Sequence, residues 1–269
     1  ITMCKILILT GHNPTQRNAL IKAAWTYFHA SGERHGFGAL WVSQSNRLAY
    51  IKGSAPSLSA RLPEWVDGFS DAHLFERPSN GGALLIHGRY ATCDVNLDNT
   101  HPFIDDNHGL VHNGVVSSST YEPKHSTCDS EILLQAYLAA GKDGLSKVGG
   151  YAAFGLIDAQ RNAHIARDNK AQLYCARIPR HGWAFGTTPD AVRIATTYPS
   201  HEVKPWSFIS FSPTTPRTGK LAKWSLEAPP PVIPKPAETD RYHHYNDYTD
   251  WPTRHTSGRS FQQSLLDTK

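Results

Sequence analysis

Between residues 151 and 187 the chain is a succession of strand-length apolar segments: 151–158, 163–168, 172–178 and 183–187. Only short runs of turn residues, such as Gln160-Arg161-Asn162, separate them. Parallel neighbours need crossovers of a dozen residues or more, so this spacing predicts an antiparallel meander. Residues 207–212 and 220–225 are two further candidate strands. Upstream, 4–10 is an unbroken apolar run of strand length, the pattern of a strand buried on both faces. Residues 37–43 and 47–52 read as a hairpin around Gln44-Ser45-Asn46, and 83–88 and 109–116 as two more strands.

Helical periodicity is confined to two places. Asn13 is a candidate cap, with Pro14 at the first position and Gln16 at the third. Leu20, Ala23, Ala24, Tyr27 and Phe28 then recur at helical spacing until Gly32 stops the helix. The second helix, 130–140, carries Ile132, Leu133, Gln135, Tyr137 and Leu138 and ends at Gly141. Many strands with two amphipathic helices predict an α+β fold of antiparallel sheets covered by helices. The stretch from the hairpin to about Gly82 is irregular and rich in Pro, Ser and Gly. Near residue 228 the composition changes to Pro229-Pro230-Pro231 and Pro234-Lys235-Pro236, which cannot supply ladder donors. The expected division is a domain over 1–227 and a Pro/Tyr/His-rich arm or tail over 228–269.

Several function classes are disfavoured. Lys and Arg total 27 against 23 Asp and Glu, without a basic cluster, which argues against a nucleic-acid partner. No apolar run approaches the ~18 residues that span a bilayer, so no membrane association is expected. The opening residues are too short for a secretory signal. The four cysteines, Cys4, Cys93, Cys128 and Cys175, form no C-x-x-C pair, and the 15 histidines are dispersed, so neither a metal site nor a cofactor is expected. Reduced thiols and a cytoplasmic location follow most simply.

Five segments carry the chemistry: Met3-Cys4, His87-Gly88-Arg89-Tyr90-Ala91-Thr92, Asn99-Thr100-His101-Pro102-Phe103, Val111-His112-Asn113-Gly114, and Cys128-Asp129-Ser130-Glu131. Taken singly, each has a plainer reading. Asn113-Gly114 suits a hairpin turn, Asp129 a helix cap, Arg89 a surface ion pair, and Cys4 a small buried hydrophobe. In this order, over about 4–190, they resemble the class II glutamine amidotransferases, N-terminal-nucleophile (Ntn) hydrolases whose cysteine follows the initiator methionine. The resemblance implies a four-layer αββα sandwich.

It also implies roles. Cys4 would be the nucleophile, and Asn113 and Gly114 would supply the oxyanion hole through a side-chain amide and a backbone N–H. Arg89 would meet the α-carboxylate of glutamine with Thr92 beside it, Asp129 would receive the α-ammonium, and His101 would support the site. The implied reaction converts L-glutamine to glutamate and ammonia through a thioester on Cys4. A free α-amine, with pKa about 7.7–8.0, can deprotonate the thiol at neutral pH, so the mechanism wants Cys4 at the mature N-terminus.

The chain departs from the pattern in carrying Ile1-Thr2-Met3 before Cys4, Lys5 where glycine is frequent, and His35 where an acidic residue is often seen. The tail is too short for a synthase domain, so the ammonia is expected to go to a separate synthase or acceptor protein, or to none. Two other readings stay open: an Ntn-type amidase on another amide, and a catalytically silent structural or assembly protein whose arm wraps a neighbouring subunit or forms a homo-oligomer. Cys93, Cys128 and Cys175 read as structural thiols.

Overall fold

The computed structural model describes residues 4–12, 14–43, 46–54 and 82–224. The chain divides into a unit over 1–229 and a second over 230–269. The fold below belongs to the first. Residues 1–3, Asn13, the hairpin tip at 44–45, the stretch 55–81, and the tail with its expected boundary at 227/228 lie outside the described residues.

Strand β1 (Lys5–Thr10) leads through a 3-10 turn (Pro14–Gln16) into α1 (Arg17–Ala30), followed by β2 (Gly36–Val42) and β3 (Leu48–Ser54). Then come β4 (Leu84–Arg89), β5 (Phe103–Asp105), β6 (His108–Ser118) and α2 (Ser130–Leu145). Strands β7 (Gly149–Ile157), β8 (Ala163–Arg167), β9 (Tyr174–Ile178) and β10 (Gly182–Gly186) precede α3 (Pro189–Arg193). The series ends with β11 (His201–Glu202), β12 (Ser207–Phe211) and β13 (Lys220–Lys223). Among the described residues all strand pairs are antiparallel. They form a seven-stranded sheet ordered β11-β9-β10-β1-β4-β2-β3 and a six-stranded sheet ordered β13-β12-β8-β7-β6-β5.

Strand β1 explains the layering. Its side chains alternate, so Leu7 and Leu9 join a core with Ile21, Ala24 and Phe28 of α1. Ile6 and Ile8 instead join Val111, Ala153 and Ile165 of the second sheet. On that sheet's far side, Leu110, Phe154 and Leu156 pack with Leu133, Leu134 and Ala136 of α2. The result is the αββα sandwich, and the unbroken apolar run at 4–10 is what two buried faces require.

Three expectations need adjustment. The buried stripe of α1 is Arg17, Ile21, Ala24 and Phe28, whereas Ala23 is exposed. Arg17 is tolerated there because its guanidinium lies 4.8 Å from the centroid of the Trp41 ring. Helix α2 breaks at Ala140 and Gly141, as the glycine predicts, but a short helical turn continues to Leu145.

The meander is split. β7 and β8 belong to the second sheet, while β9 and β10 belong to the first. Asp168 makes the crossing: fully buried, its Oδ1 accepts from the N–H groups of Lys170 and Ala171, and its Oδ2 from Ala152. One side chain thus holds a tight turn that carries the chain between layers. No helix among the described residues is long and apolar enough to cross a membrane.

Candidate active site

Alternation along the strands turns Cys4, Arg89 and Asn113 to the interior between the two sheets. Cys4 shares the face of Ile6 and Ile8, Arg89 that of Leu85, and Asn113 that of Val111, all turned to the interior between the sheets. Lys5 pairs with Gly88, so Cys4 comes level with Arg89 where the first sheet ends. The half-buried Cys4 thiol donates to the Tyr90 carbonyl oxygen at 3.3 Å, and the Tyr90 N–H points back at the sulfur at 3.3 Å. Burial pushes the thiol up to about 11, with the Tyr90 backbone and Arg89 opposing. At neutral pH the sulfur keeps its proton and needs a base to become a nucleophile.

Arg89 is 2% exposed. Its Nη2 donates to the carbonyls of Cys93 (3.3 Å) and Asp94 (3.0 Å) and lies 3.1 Å from Cys93 Sγ. Nη1 is buried with no hydrogen-bond partner among the described residues. A buried, always-charged guanidinium with an open N–H is a strong anion receptor. Thr92, on the loop beyond, is exposed. His35 accepts the Ala91 N–H on Nδ1 at 2.8 Å and packs against Tyr90 at 5.1 Å. It therefore shapes the loop as a neutral imidazole, its proton held low by burial and by Arg89.

Asn113 is buried on β6 opposite Ala153. Its neighbour Gly114 has φ +152°, and a Cβ there would lie 2.0 Å from the Tyr151 carbonyl oxygen, so only glycine fits. Behind this pair stand three buried histidines. His87 Nε2 donates to the His112 carbonyl oxygen at 3.1 Å, and His112 Nδ1 meets Ser130 Oγ of α2 at 2.9 Å. The His101 ring lies 3.9 Å from that of His87 and 4.5 Å from Phe103. Burial lowers all three, His87 to about 3, so they are neutral packing and hydrogen-bonding groups.

Asp129 occupies the cap position of α2 without capping it. Its Oδ2 accepts the Val116 N–H at 2.7 Å, tying the helix start to β6. The buried Glu131 gathers the preceding loop, accepting the N–H groups of His125 and Ser126 and the Ser126 hydroxyl. Asn99 Nδ2 donates to the Asp94 carbonyl and to Thr127 Oγ1, and its Oδ1 accepts the Thr127 N–H. The Arg89 loop and the Asp129 loop are thereby clamped together.

Sequence reasoning gave no role to His87, His112, Glu131 or the Asn99 bridge, although all lie within or beside the quoted motifs. Lys5 likewise finds its purpose only here: its Nζ meets the buried carboxylate of Glu33. Among the described residues, no group of three or more His, Cys, Asp or Glu side chains is arranged to hold a metal ion.

The profile of the glutamine amidotransferase domain matches residues 68–205. That span includes Arg89, Thr92, His101, Asn113, Gly114 and Asp129 and begins after Cys4. No curated protein sequence matches the chain. Two solved structures resemble it at 18% identity, over 82% of this chain and 49% of theirs. One is glutamine phosphoribosylpyrophosphate (PRPP) amidotransferase from B. subtilis, complexed with ADP and GMP, with a TM-score of 0.58. The other, described as the allosteric regulatory enzyme of purine biosynthesis, gives 0.62. The chain spans about half the length of either, and the likeness is one of fold.

Proposed function

The chain belongs to the glutamine amidotransferase domain family, and we propose that it hydrolyses L-glutamine to glutamate and ammonia through a thioester on Cys4. The observation that supports this reading is the Cys4 thiol held against the Tyr90 backbone beside the buried Arg89, at the end of the first sheet. The α-carboxylate of glutamine binds the open Nη1 edge of Arg89, and the free oxygen capacity of Asp129 takes the α-ammonium. The Cys4 sulfur adds to the side-chain amide carbon as its proton passes to the base. Asn113 Nδ2 and the Gly114 N–H stabilise the tetrahedral oxyanion. Collapse expels ammonia with the returned proton, and water then cleaves the thioester to glutamate. His101, tilted against His87, is assigned a supporting role and takes no part in proton transfer.

A thiol raised to about 11 is a poor nucleophile alone, which supports assigning the base to a free α-amine on Cys4 itself. The ammonia is passed to a separate synthase or acceptor protein, and the 228–269 segment, rich in Pro and Tyr, is assigned to association with it or with further copies. The four free thiols suit a reducing cytoplasm. The test is glutamate release from L-glutamine by protein whose N-terminus is Cys4, beside its Cys4→Ala variant. Release from the first alone upholds the reading, and equal release from both overturns it.

A further inference from the structure

The peptide joining Tyr90 to Ala91 is held at both edges by side chains from distant parts of the chain. Its carbonyl oxygen accepts the Cys4 thiol at 3.3 Å, and its N–H donates to His35 Nδ1 at 2.8 Å. A planar trans peptide turns these two groups to opposite edges, so fixing one fixes the other. His35 is itself anchored twice. Its own N–H donates to the Arg89 carbonyl oxygen at 3.1 Å, next to the pairing of Gly36 with Arg89. Its ring is tilted against that of Tyr90, with centroids 5.1 Å apart. The half-buried His35 thus touches three successive residues where the chain leaves β4. The middle one, Tyr90, also aims its N–H at the Cys4 sulfur from 3.3 Å.

We propose that His35 is a positioning residue for the nucleophile: by accepting the Ala91 N–H it sets the Tyr90 carbonyl on the Cys4 thiol, and it does so only while its ring is neutral. The effect on turnover rests on the glutamine reading, and the hold on the thiol does not.

What the position requires is an acceptor. With Nδ1 accepting, the one ring proton sits on Nε2, and a second proton would set an N–H against the Ala91 N–H. The peptide could then turn and take its carbonyl off the thiol. Because this segment starts at Arg89, its course also sets where the nucleophile stands relative to the guanidinium assigned to the α-carboxylate. Misplacement by about 1 Å can cost about 10²-fold in rate. The charged and titratable groups around the imidazole are Arg89 and the Tyr90 phenol where β4 ends, and Glu33 and Arg34 on its own loop, with Lys5 of β1 engaging Glu33. Burial and Arg89 both oppose a second ring proton. The hydrogen bond is therefore whole above pH 6.5 and is lost as the pH falls through the lower folded value.

The experiment compares three full-length chains that begin at Cys4: the unaltered protein, His35→Asn and His35→Leu. The first substitution keeps a neutral acceptor as many bonds from the backbone as Nδ1, and the second removes it. At pH 8, His35→Leu is expected to lower kcat roughly tenfold with little change in KM, and His35→Asn to stay within about twofold of the unaltered protein. Between pH 8 and 5.5, the ratio of unaltered to His35→Asn turnover should be level above about 6.5 and fall below it, since titration of the α-amine is common to both and cancels. Circular dichroism checks the fold at each pH, and the ratio stands even where His35→Leu does not fold. Alkylation of Cys4 by iodoacetamide, followed by mass, reads the thiol without substrate and should be severalfold faster in His35→Leu alone. His35→Leu matching His35→Asn in both turnover and alkylation overturns the positioning role. A ratio level down to pH 5.5 overturns the dependence on a neutral ring. No glutamate from the unaltered protein, with alkylation still separating the two variants, upholds the role and sinks the glutamine reading.

Discussion

Lys5 Nζ lies 2.6 Å from Glu33 Oε1, and the Glu33 side chain has no exposed surface. The pair sits beside the nucleophile, between the first strand and the loop after α1. Burial raises the Glu33 carboxyl, and Lys5 opposes that shift. Removing one partner of such a pair strands a charge in the interior, at a cost of about 3–5 kcal/mol. Lys5→Ala is therefore expected to lower the unfolding free energy by about that amount. Lys5→Met with Glu33→Gln should recover most of it. Urea titrations of the three proteins check this, and a Lys5→Ala change under about 1 kcal/mol would show that the pair is not buried in solution.

On the mechanism proposed above, the residues ahead of Cys4 decide whether its thiol has a base. Protein beginning at Cys4 should release glutamate at a rate that rises with pH through about 7.7–8.0, where an α-amine loses its proton. Protein retaining Ile1-Thr2-Met3 is expected to be nearly inactive, because an amide nitrogen has no usable basicity. The two forms, each verified by mass, are assayed side by side. Equal rates would rule out the amine mechanism.

Substitutions around the thiol should separate binding from turnover. Asn113→Ala is expected to depress kcat by roughly 10²–10³ with little change in KM. Arg89→Lys and Asp129→Asn should chiefly raise KM, by the equivalent of about 2–3 kcal/mol for a buried charge-assisted contact. A purely KM-type defect in Asn113→Ala would remove the oxyanion assignment. Gly114→Ala should compromise the fold itself, given the Tyr151 carbonyl 2.0 Å from the added carbon.

Buried neutral histidines make the fold acid-sensitive. His12 is lowered to about 4 and His87 to about 3 by burial, and His101 and His112 are lowered as well. Unfolded, each takes a proton near pH 6.5. Their folded pKa values lie below that, so stability is full above pH 6.5 and declines as the pH falls toward the folded values. The slope is at most about 1.4 kcal/mol per pH unit for each histidine. Urea midpoints should be level from pH 7 to 8 and fall clearly by pH 5. A midpoint constant down to pH 5 would contradict the neutral cluster.

Deleting 228–269 should leave the melting temperature and the glutamate release of the remaining chain nearly unchanged, while reducing oligomer mass or acceptor capture. Size-exclusion with light scattering reads the first effect. A truncated chain that fails to fold would place the segment in the core.

Local signals carried much of this into the sequence. The doubly apolar β1 run, the stop at Gly141 and the ordered motifs around Arg89, Asn113 and Asp129 each depend on neighbouring residues alone. The division of the meander was not legible, because turn composition gives the sense of two strands and not the sheet each joins. Asp168 marks the point of departure: its carboxylate accepts the Ala152 N–H of the adjacent strand β7 and the N–H groups of Lys170 and Ala171 in the turn that follows. Ala23 misled because its spacing fits the stripe, while packing selected Ile21. The clamp between the 90–98 loop and the loop before α2 was hidden for a similar reason. Asn99 is an ordinary residue until the fold sets Asp94 and Thr127 against its amide.

The position of β1 also orders events during synthesis. It is hydrogen-bonded on one side to β4 and on the other to β10, whose register runs from Trp183 to Gly186. The segment next to Cys4 thus leaves the ribosome long before its second neighbour exists. Contacts so distant in sequence form late. Until then β1 can pair with β4 alone, and the edge that β10 will cover is left open.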